Sequence, residues 1–552
     1  MLRQPILSPA AGPSSTNVPP PAKPVRLRSL DILRGLTVLN MVFVDEIGDA
    51  FPHLNHSPWD NITLADIVMP WFLFMVGTSL SISLRKFRAA RGAGTRVVLL
   101  RTAKLFGLGM LLQGGNAFPT PIDFNLSTLR WCGILNRIAF AYMAAALLEL
   151  HVPESRHLSS FGPSRPHFAV FAGQAWRWLG ALLFVALHLI LTLWTFVPSW
   201  TSRYGYDHST KALTLLPAFQ WYEIACNVRG AIETPECSAA GFYDRLLFGQ
   251  DHLGVWMSAR LPECSGCSPG APSPMYRPLC TYQPNATHLP VATPNWCFAR
   301  IYDPEGALAT IPTVMSVWMG AHFGRVLRAE GIRDRHAAIL SHWTIVSVAF
   351  VVMGLVIHYN GLPMNKQLWS TSYLLFMAGS CGATLTAFYV MVDVEPPAHG
   401  SAPPAGDAEA IEPSGAGEPP GDAGGRAPTH HQCAARSSRS DGCGPVQSAL
   451  RWLFFPLEAM GMNAILFFFW HGTAEAIING VYVAPPKAGG GLIWSPAHGA
   501  LLGQEGWVHE GLLALLAPRD AAARQMLFVL LKLAVYLAVA VLCHKHKYFW
   551  KL

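Results

Sequence analysis

The chain has 552 residues, of which 51% are hydrophobic and only 13% charged, with a mean hydropathy of +0.29. Soluble globular proteins carry about 25% charged residues, so this composition argues against a soluble domain and for an integral membrane protein. The net charge of +7 is no sign of nucleic-acid binding, because the basic residues are spread over short segments between apolar runs rather than gathered on one face.

Residues 1–25 are rich in Pro, Ser and Ala with no apolar core. They read as a disordered cytosolic tail rather than a signal peptide. Crossing about 30 Å of hydrocarbon takes roughly 20 apolar residues. Ten such runs follow, at 31–48, 62–84, 97–113, 131–150, 177–197, 307–328, 336–357, 368–392, 452–475 and 525–543. The expected fold class is therefore an all-α polytopic bundle of about ten transmembrane helices with a Cys-rich lumenal loop.

Arg85, Lys86, Arg88, Arg91 and Arg96 follow the second run; Arg325, Arg328, Arg333 and Arg335 follow the sixth; Lys545, Lys547 and Lys551 follow the tenth. The short loops 114–129 and 358–367 hold only Lys366. Short loops rich in Lys and Arg lie in the cytosol, which places both termini there. The bundle spans 26–392, with the long non-cytosolic loop 198–305 inserted. A Pro-, Gly- and Ser-rich stretch at 393–447 reads as a disordered cytosolic linker, and 448–552 holds the C-terminal helices.

Six of the eleven cysteines (Cys226, Cys237, Cys264, Cys267, Cys280, Cys297) fall in 198–305. An even count in one exported loop implies disulfides. Cys264-Ser-Gly-Cys267 by itself is half a zinc site, and no second CxxC or His pair accompanies it, so no metal is expected. Asn285-Ala-Thr287 is a glycosylation acceptor.

Polar residues at membrane depth or at the mouths of spans are costly and need a reason. The densest group lies in the first helical hairpin. Ser29 is a plausible N-cap and Asp31 sits in the first turn. Asp45 and Glu46 lie near the far end of the first span. The loop Asn55-His56-Ser57-Pro58-Trp59-Asp60-Asn61 follows, and then Asp66 at the start of the second span. His56 is the one residue here whose ordinary pKa suits acid–base work near neutrality. Asp45, eleven residues earlier on the facing arm, is placed to orient it. The plain alternative is a surface histidine and a solvated helix end. Asp66 is equally at home as a substrate contact or as a carboxylate favoured at a helix N-terminus. Arg137, inside the fourth run, needs either an ion pair with Asp66 or Asp303 or a ligand.

Several ordered blocks resemble one family. Arg26-Leu27-Arg28-Ser29-Leu30-Asp31, Arg34-Gly35, Met41-Val42-Phe43-Val44-Asp45, Asn55-His56-Ser57-Pro58-Trp59 and Leu64-Ala65-Asp66 through Pro70-Trp71-Phe72 come first. Leu135-Asn136-Arg137-Ile138-Ala139, Tyr302-Asp303-Pro304-Glu305-Gly306, Pro363 through Ser370, and Gly461-Met462-Asn463 follow. In this order, over about 26–470, they resemble the heparan-α-glucosaminide N-acetyltransferase family, in a plant-type form with Asp45 where the animal enzymes have Asn. The resemblance implies a polytopic enzyme that takes acetyl from cytosolic acetyl-CoA and delivers it to a glycan or amino-sugar acceptor in the lumen. It assigns His56 and Asp45 to the active site. It also implies a lysosome- or vacuole-type membrane, another endomembrane or the plasma membrane, with a homodimer as an allowed assembly. Against the animal enzymes, the motif starts without a preceding lumenal domain and span, and the loop before Asp303 is larger.

CoA carries several phosphate charges, so its nucleotide end should meet basic residues on the cytosolic face. Arg26, Arg28, Arg34, Arg85, Arg101 and Lys104 are the candidates, although topology alone also places basic residues there. Across the membrane, Asp66, Asp303, Glu305, Asn365 and Lys366 are candidates to line an acceptor pocket. A turn leading into the sixth span is the alternative for Asp303-Pro304-Glu305-Gly306. The functional alternative is a proton-coupled transporter of a small acidic or sugar solute, with Asp45, His56 and Asp66 as a relay.

Overall fold

The structure, a computed structural model, describes residues 26–48, 51, 53–113, 126–127, 129–155, 166–207, 212–254, 299–327, 329, 335–394, 445–479, 481–484, 491–494 and 521–550. The tail 1–25, nearly all of the linker 393–447, Asn285 and four of the six loop cysteines fall outside them.

The described chain is mostly helical. In order the helices are α1 (Arg28–Ile47), α2 (Val68–Ser83, entered through a 3₁₀ turn at Leu64–Ile67), α3 (Arg91–Gln113), α4 (Ile134–His151), α5 (Pro166–Ala172) and α6 (Ala175–Trp194). Then come α7 (Ala239–Phe248), α8 (Ala307–Thr310), α9 (Thr313–Val326), α10 (His336–Tyr359), α11 (Thr371–Val392), α12 (Pro445–Met462), α13 (Ala464–Asn479) and α14 (Ala521–Lys545).

Among the described residues six helical segments are long and apolar enough to cross a bilayer: Leu64–Phe87, α4, α6, α10, α11 and Gln525–Lys545. Counting the α12–α13 pair, bent by 67°, as one broken span makes seven. On this criterion the described residues bear out six or seven of the ten runs expected from sequence. Runs 31–48, 97–113 and 307–328 fall on α1, α3 and α9. Of these, α1 carries five charged residues, α3 carries four, and α9 has 14 residues.

Two helix pairs cross so closely that only glycine fits. A Cβ on Gly77 of α2 would lie 1.8 Å from the Val317 carbonyl oxygen of α9, and one on Gly320 of α9 would lie 1.8 Å from that of Phe74 on α2. Gly35 of α1 and Gly461 of α12 relate to each other's helices in the same reciprocal way. Small residues that let backbones meet are the usual device for packing helices in lipid, where apolar burial between helices gives little drive. The core formed around these crossings includes Trp318, Phe74, Phe323, Trp343 and Tyr373.

Ser29 does not cap α1. Both Ser29 N–H and Arg28 N–H donate to the Asp393 carboxylate, at 3.0 and 3.3 Å, so the cap comes from the end of α11. The 67° break between α12 and α13 falls at Asn463. Its side chain donates to the Tyr548 carbonyl (2.9 Å) and accepts from Trp550 N–H (3.0 Å), so the C-terminal segment satisfies the bend.

Between α6 and α9 the chain leaves the bundle. Three antiparallel two-stranded ribbons pair Phe196–Val197 with Val228–Arg229, Trp200–Ser202 with Tyr222–Ile224, and Tyr204–Asp207 with Ala212–Leu215. A disulfide joins Cys226 to Cys237 just before α7.

Candidate active site

The loop between α1 and α2 is held by one carboxylate. Asp66, fully buried in the 3₁₀ turn, forms a capping box with Thr63. Its Oδ2 accepts from Thr63 N–H (3.1 Å), Thr63 Oγ1 (3.0 Å) and Ser57 N–H (3.1 Å). Its Oδ1 lies 2.9 Å from His56 Nδ1. A second loop, 363–370, closes over the first. Lys366 Nζ lies 2.8 Å from His56 Nδ1 and 3.4 Å from Asp66 Oδ1. Asn61 N–H donates to the Met364 carbonyl (2.9 Å), and the Asn365 side chain donates to Asp60 Oδ1 (3.2 Å). Trp369 is held at φ 52°, an unusual conformation for a bulky residue and one that marks constrained, often functional, backbone. Tyr373 OH donates to the Asp66 carbonyl at 2.6 Å.

Nδ1 cannot donate to Asp66 and accept from Lys366 at once. With the proton on Nδ1, the ring donates to Asp66, the ammonium pairs with the carboxylate, and Nε2 presents a lone pair. With Nδ1 accepting from Lys366, Nε2 carries the proton. Among the described residues Nε2 has no hydrogen-bond partner, and the side chain is 26% exposed. The arrangement is a base–orienter pair with a cation that can select the tautomer.

The structure fixes the contacts of several of the expected residues. The carboxylate on His56 is Asp66, not Asp45. Asp45 Oδ2 instead lies 3.2 Å from Nε2 of His471 on α13. An eleven-residue separation does not fix which of two carboxylates a loop turns toward, and the Thr63–Asp66 capping box does. Arg137 makes no ion pair with Asp66 or Asp303. It donates to the Pro304 carbonyl (2.8 Å) and Thr310 Oγ1 (3.1 Å) and lies over the Trp369 ring. Asp303 and Asn365 both make hydrogen bonds that hold the surrounding backbone. Asp303 takes two N–H groups of Arg130 (2.6 and 2.7 Å) and the N–H of Gly254 and Glu305 (both 2.9 Å). Burial alone would raise the Asp303 carboxyl, but Arg130 holds it below its ordinary value. Asn365 Oδ1 accepts from Leu368 N–H (2.8 Å) to shape its own loop. Glu305 shares Arg130.

Arg130 was not among the sequence candidates. Its signal was an arginine at the non-basic end of a span, where loop-charge rules place few. Next to this cluster, Asp244 accepts from the N–H groups of Asp303 (3.1 Å) and Ala307 (2.8 Å). Burial, and then the neighbouring Asp303, push its carboxyl up to about 7.

The basic candidates sit toward the opposite end of the helices. Arg26 and Arg34 pair with Asp31, and Arg28 lies 3.6 Å from Glu458. Arg85, Arg101 and Lys104 are exposed, with Arg101 over the Tyr142 ring. At this end too, Glu154 pairs with Arg325, Arg88 and Arg177. Burial works against its charge, yet these arginines hold its carboxyl down at about 2.

Residues 26–161, which contain His56, Asp66 and Arg137, match the family described as heparan-alpha-glucosaminide N-acetyltransferase, catalytic. Over that region the chain is similar to these acetyltransferases. It is 28% identical over 386 residues to the mouse heparan-alpha-glucosaminide N-acetyltransferase, covering 67% of this chain and 50% of the relative. The human protein of the same name gives 28% over 386 residues, with 68% and 50% covered. The chain thus spans about half the length of the curated heparan-alpha-glucosaminide N-acetyltransferases it matches. The match to the catalytic region ends at residue 161, so Lys366 reaches His56 from outside it.

Proposed function

We propose that this protein is a membrane-bound acetyltransferase that moves acetyl from acetyl-CoA to an amino sugar or related glycan acceptor on the far side of the membrane. The observation that carries this reading is the His56–Asp66 pair, which lies inside the region matching the acetyltransferase family and is met by Lys366 from outside it. The names of the relatives favour it over a transporter. The loop charges support cytosolic termini, and the resemblance supports a membrane of lysosome or vacuole type, another endomembrane or the plasma membrane. Protease access to a cleavage site inserted at residue 420, from the cytosolic side only, checks that orientation.

In the tautomer with Nδ1–H on Asp66, His56 Nε2 accepts the proton of the acceptor amine as its nitrogen attacks the thioester carbon. The C–S bond then breaks and CoA leaves. The same lone pair could instead take the acetyl group first, forming an acetyl-imidazole that the amine then opens. Intersecting double-reciprocal plots indicate the first route and parallel ones the second. The phosphates of CoA fit the exposed Arg85, Arg101 and Lys104 better than Arg26 and Arg34, whose charge Asp31 already takes.

A positioned base contributes about 10²–10⁴-fold. His56→Ala should therefore collapse turnover while CoA affinity, measured on the same folded preparation, stays within a few-fold. Retention of more than about a tenth of wild-type transfer would remove His56 from the chemistry.

A further inference from the structure

The end of α1 carries a second histidine–carboxylate pair. Asp45 Oδ2 lies 3.2 Å from His471 Nε2, and the His471 side chain is 11% exposed against 42% for Asp45. The histidine is brought there by the 67° break at Asn463, which swings α13 away from the axis of α12 and toward the mouth of α1. The next residue of α1 makes a different contact. Glu46 pairs with Lys532 of α14 at 2.5 Å, and its carbonyl accepts from the Gln525 side chain at 2.8 Å.

Both histidine pairs lie where α1 ends. Gly48 begins the turn after Asp45, with its N–H on the Val44 carbonyl at 3.0 Å. The Asn55 side chain packs so tightly on Gly48 that a Cβ there would lie 2.8 Å from it. Asn55 Oδ1 in turn accepts the N–H of His56 at 2.7 Å. Asp45 and His56 are thus linked through Gly48 and Asn55 but serve different rings.

Transfer of acetyl from a thioester to an amine needs two proton movements. One proton leaves nitrogen as the amide forms, and one must reach sulfur as the C–S bond breaks. A single imidazole can do both only in sequence. We propose that the His471–Asp45 pair supplies the second: His471, as imidazolium stabilised by the Asp45 carboxylate, protonates the departing CoA thiolate. The His56–Asp66 pair takes the proton from the attacking nitrogen. The products are amide and free thiol, His56 ends one proton richer and His471 one poorer, and solvent exchange resets both. This role rests on the acetyltransferase reading.

The alternative is that the pair only clamps α13 to α1. The test uses the full-length protein in detergent, glucosamine as acceptor, and two donors: acetyl-CoA and the acetyl thioester of para-nitrothiophenol, whose thiolate departs without protonation. With acetyl-CoA, His471→Gln should lose about 10²-fold in kcat, and with the aryl thioester it should stay within about 3-fold of wild type. Asp45→Asn keeps the shape, guards against misfolding of the histidine variant, and should show the same donor-dependent loss to a smaller degree. Glu46→Gln, which removes the neighbouring charge pair to Lys532, should affect both donors alike. Equal losses with both donors for His471→Gln and Asp45→Asn, or no loss with either, would overturn the leaving-group role while leaving the acetyltransferase reading intact. A wild-type protein that transfers from neither donor would overturn both.

Discussion

At His56 the decisive partner is Asp66, and the capping box is what decides it. A helix start has unpaired N–H groups that an acidic side chain satisfies, and this one satisfies Thr63, reaches Ser57 and still has an oxygen for the imidazole. Asp66→Asn leaves one acceptor oxygen and two donor hydrogens, so either the loop N–H groups or the ring must lose a partner. Nδ1–H is then no longer enforced. Turnover should fall by about 10²–10⁴-fold, as when a base–orienter pair loses its carboxylate. The unsatisfied buried group should also destabilise the fold by about 1–3 kcal/mol. Activity and thermal midpoint measured on the same preparation check this; an Asp66→Asn enzyme with wild-type turnover would show that the contact does not orient His56.

The helices that carry the site are placed by close crossings rather than by long apolar faces. Gly320 on α9 faces the Phe74 carbonyl of α2 across a gap that a methyl group cannot enter. Gly320→Ala must separate α2 from α9, at a cost of about 1–3 kcal/mol for overpacking. The 3₁₀ turn bearing Asp66 leads directly into α2, so the same variant should lower turnover as well as thermal stability. Gly107 on α3, whose Cβ would meet nothing within 4 Å, is the matched control: Gly107→Ala should leave the thermal midpoint at or above wild type, since Ala favours helix by about 1 kcal/mol over Gly.

At the scale of the whole molecule, the region outside the bundle is joined to it by a buried ionic cluster: Arg130 with Asp303 and Glu305, and Asp244 beside them. Burial, and then the Asp303 charge, push the Asp244 carboxyl up to about 7 from an ordinary 3.8. Its folded-state pKa is raised, so the folded chain binds this proton more tightly than the unfolded one. The resulting stability is fully present below about pH 4 and is lost as pH rises through about 7. Wild-type thermal midpoints should therefore decline between about pH 5 and about pH 8, and Asp244→Asn, which cannot ionise, should flatten that decline. An equally steep decline in the variant would assign it to another group.

How much of this was legible in the sequence follows from what each inference depended on. Helix formation depends on local composition and length, so the apolar helices could be read directly, as could disulfide formation among the cysteines of 198–305, of which Cys226–Cys237 is one bond. His56 could be singled out because its chemistry is intrinsic to the side chain, and the family because its motifs are contiguous. Partner choice was different, since it depends on which atoms meet after folding. Asp45 and Asp66 lie eleven and ten residues from His56, and nothing in those spacings chooses between them. Lys366 and His471 come from loops and helices 310 and 415 residues further along the chain. Asp303 is held by Arg130, from another segment. Sequence determined which groups are able to do acid–base chemistry in this membrane; tertiary structure alone decided how they are paired, because hydrogen bonds and ion pairs act over a few ångströms and not along the chain.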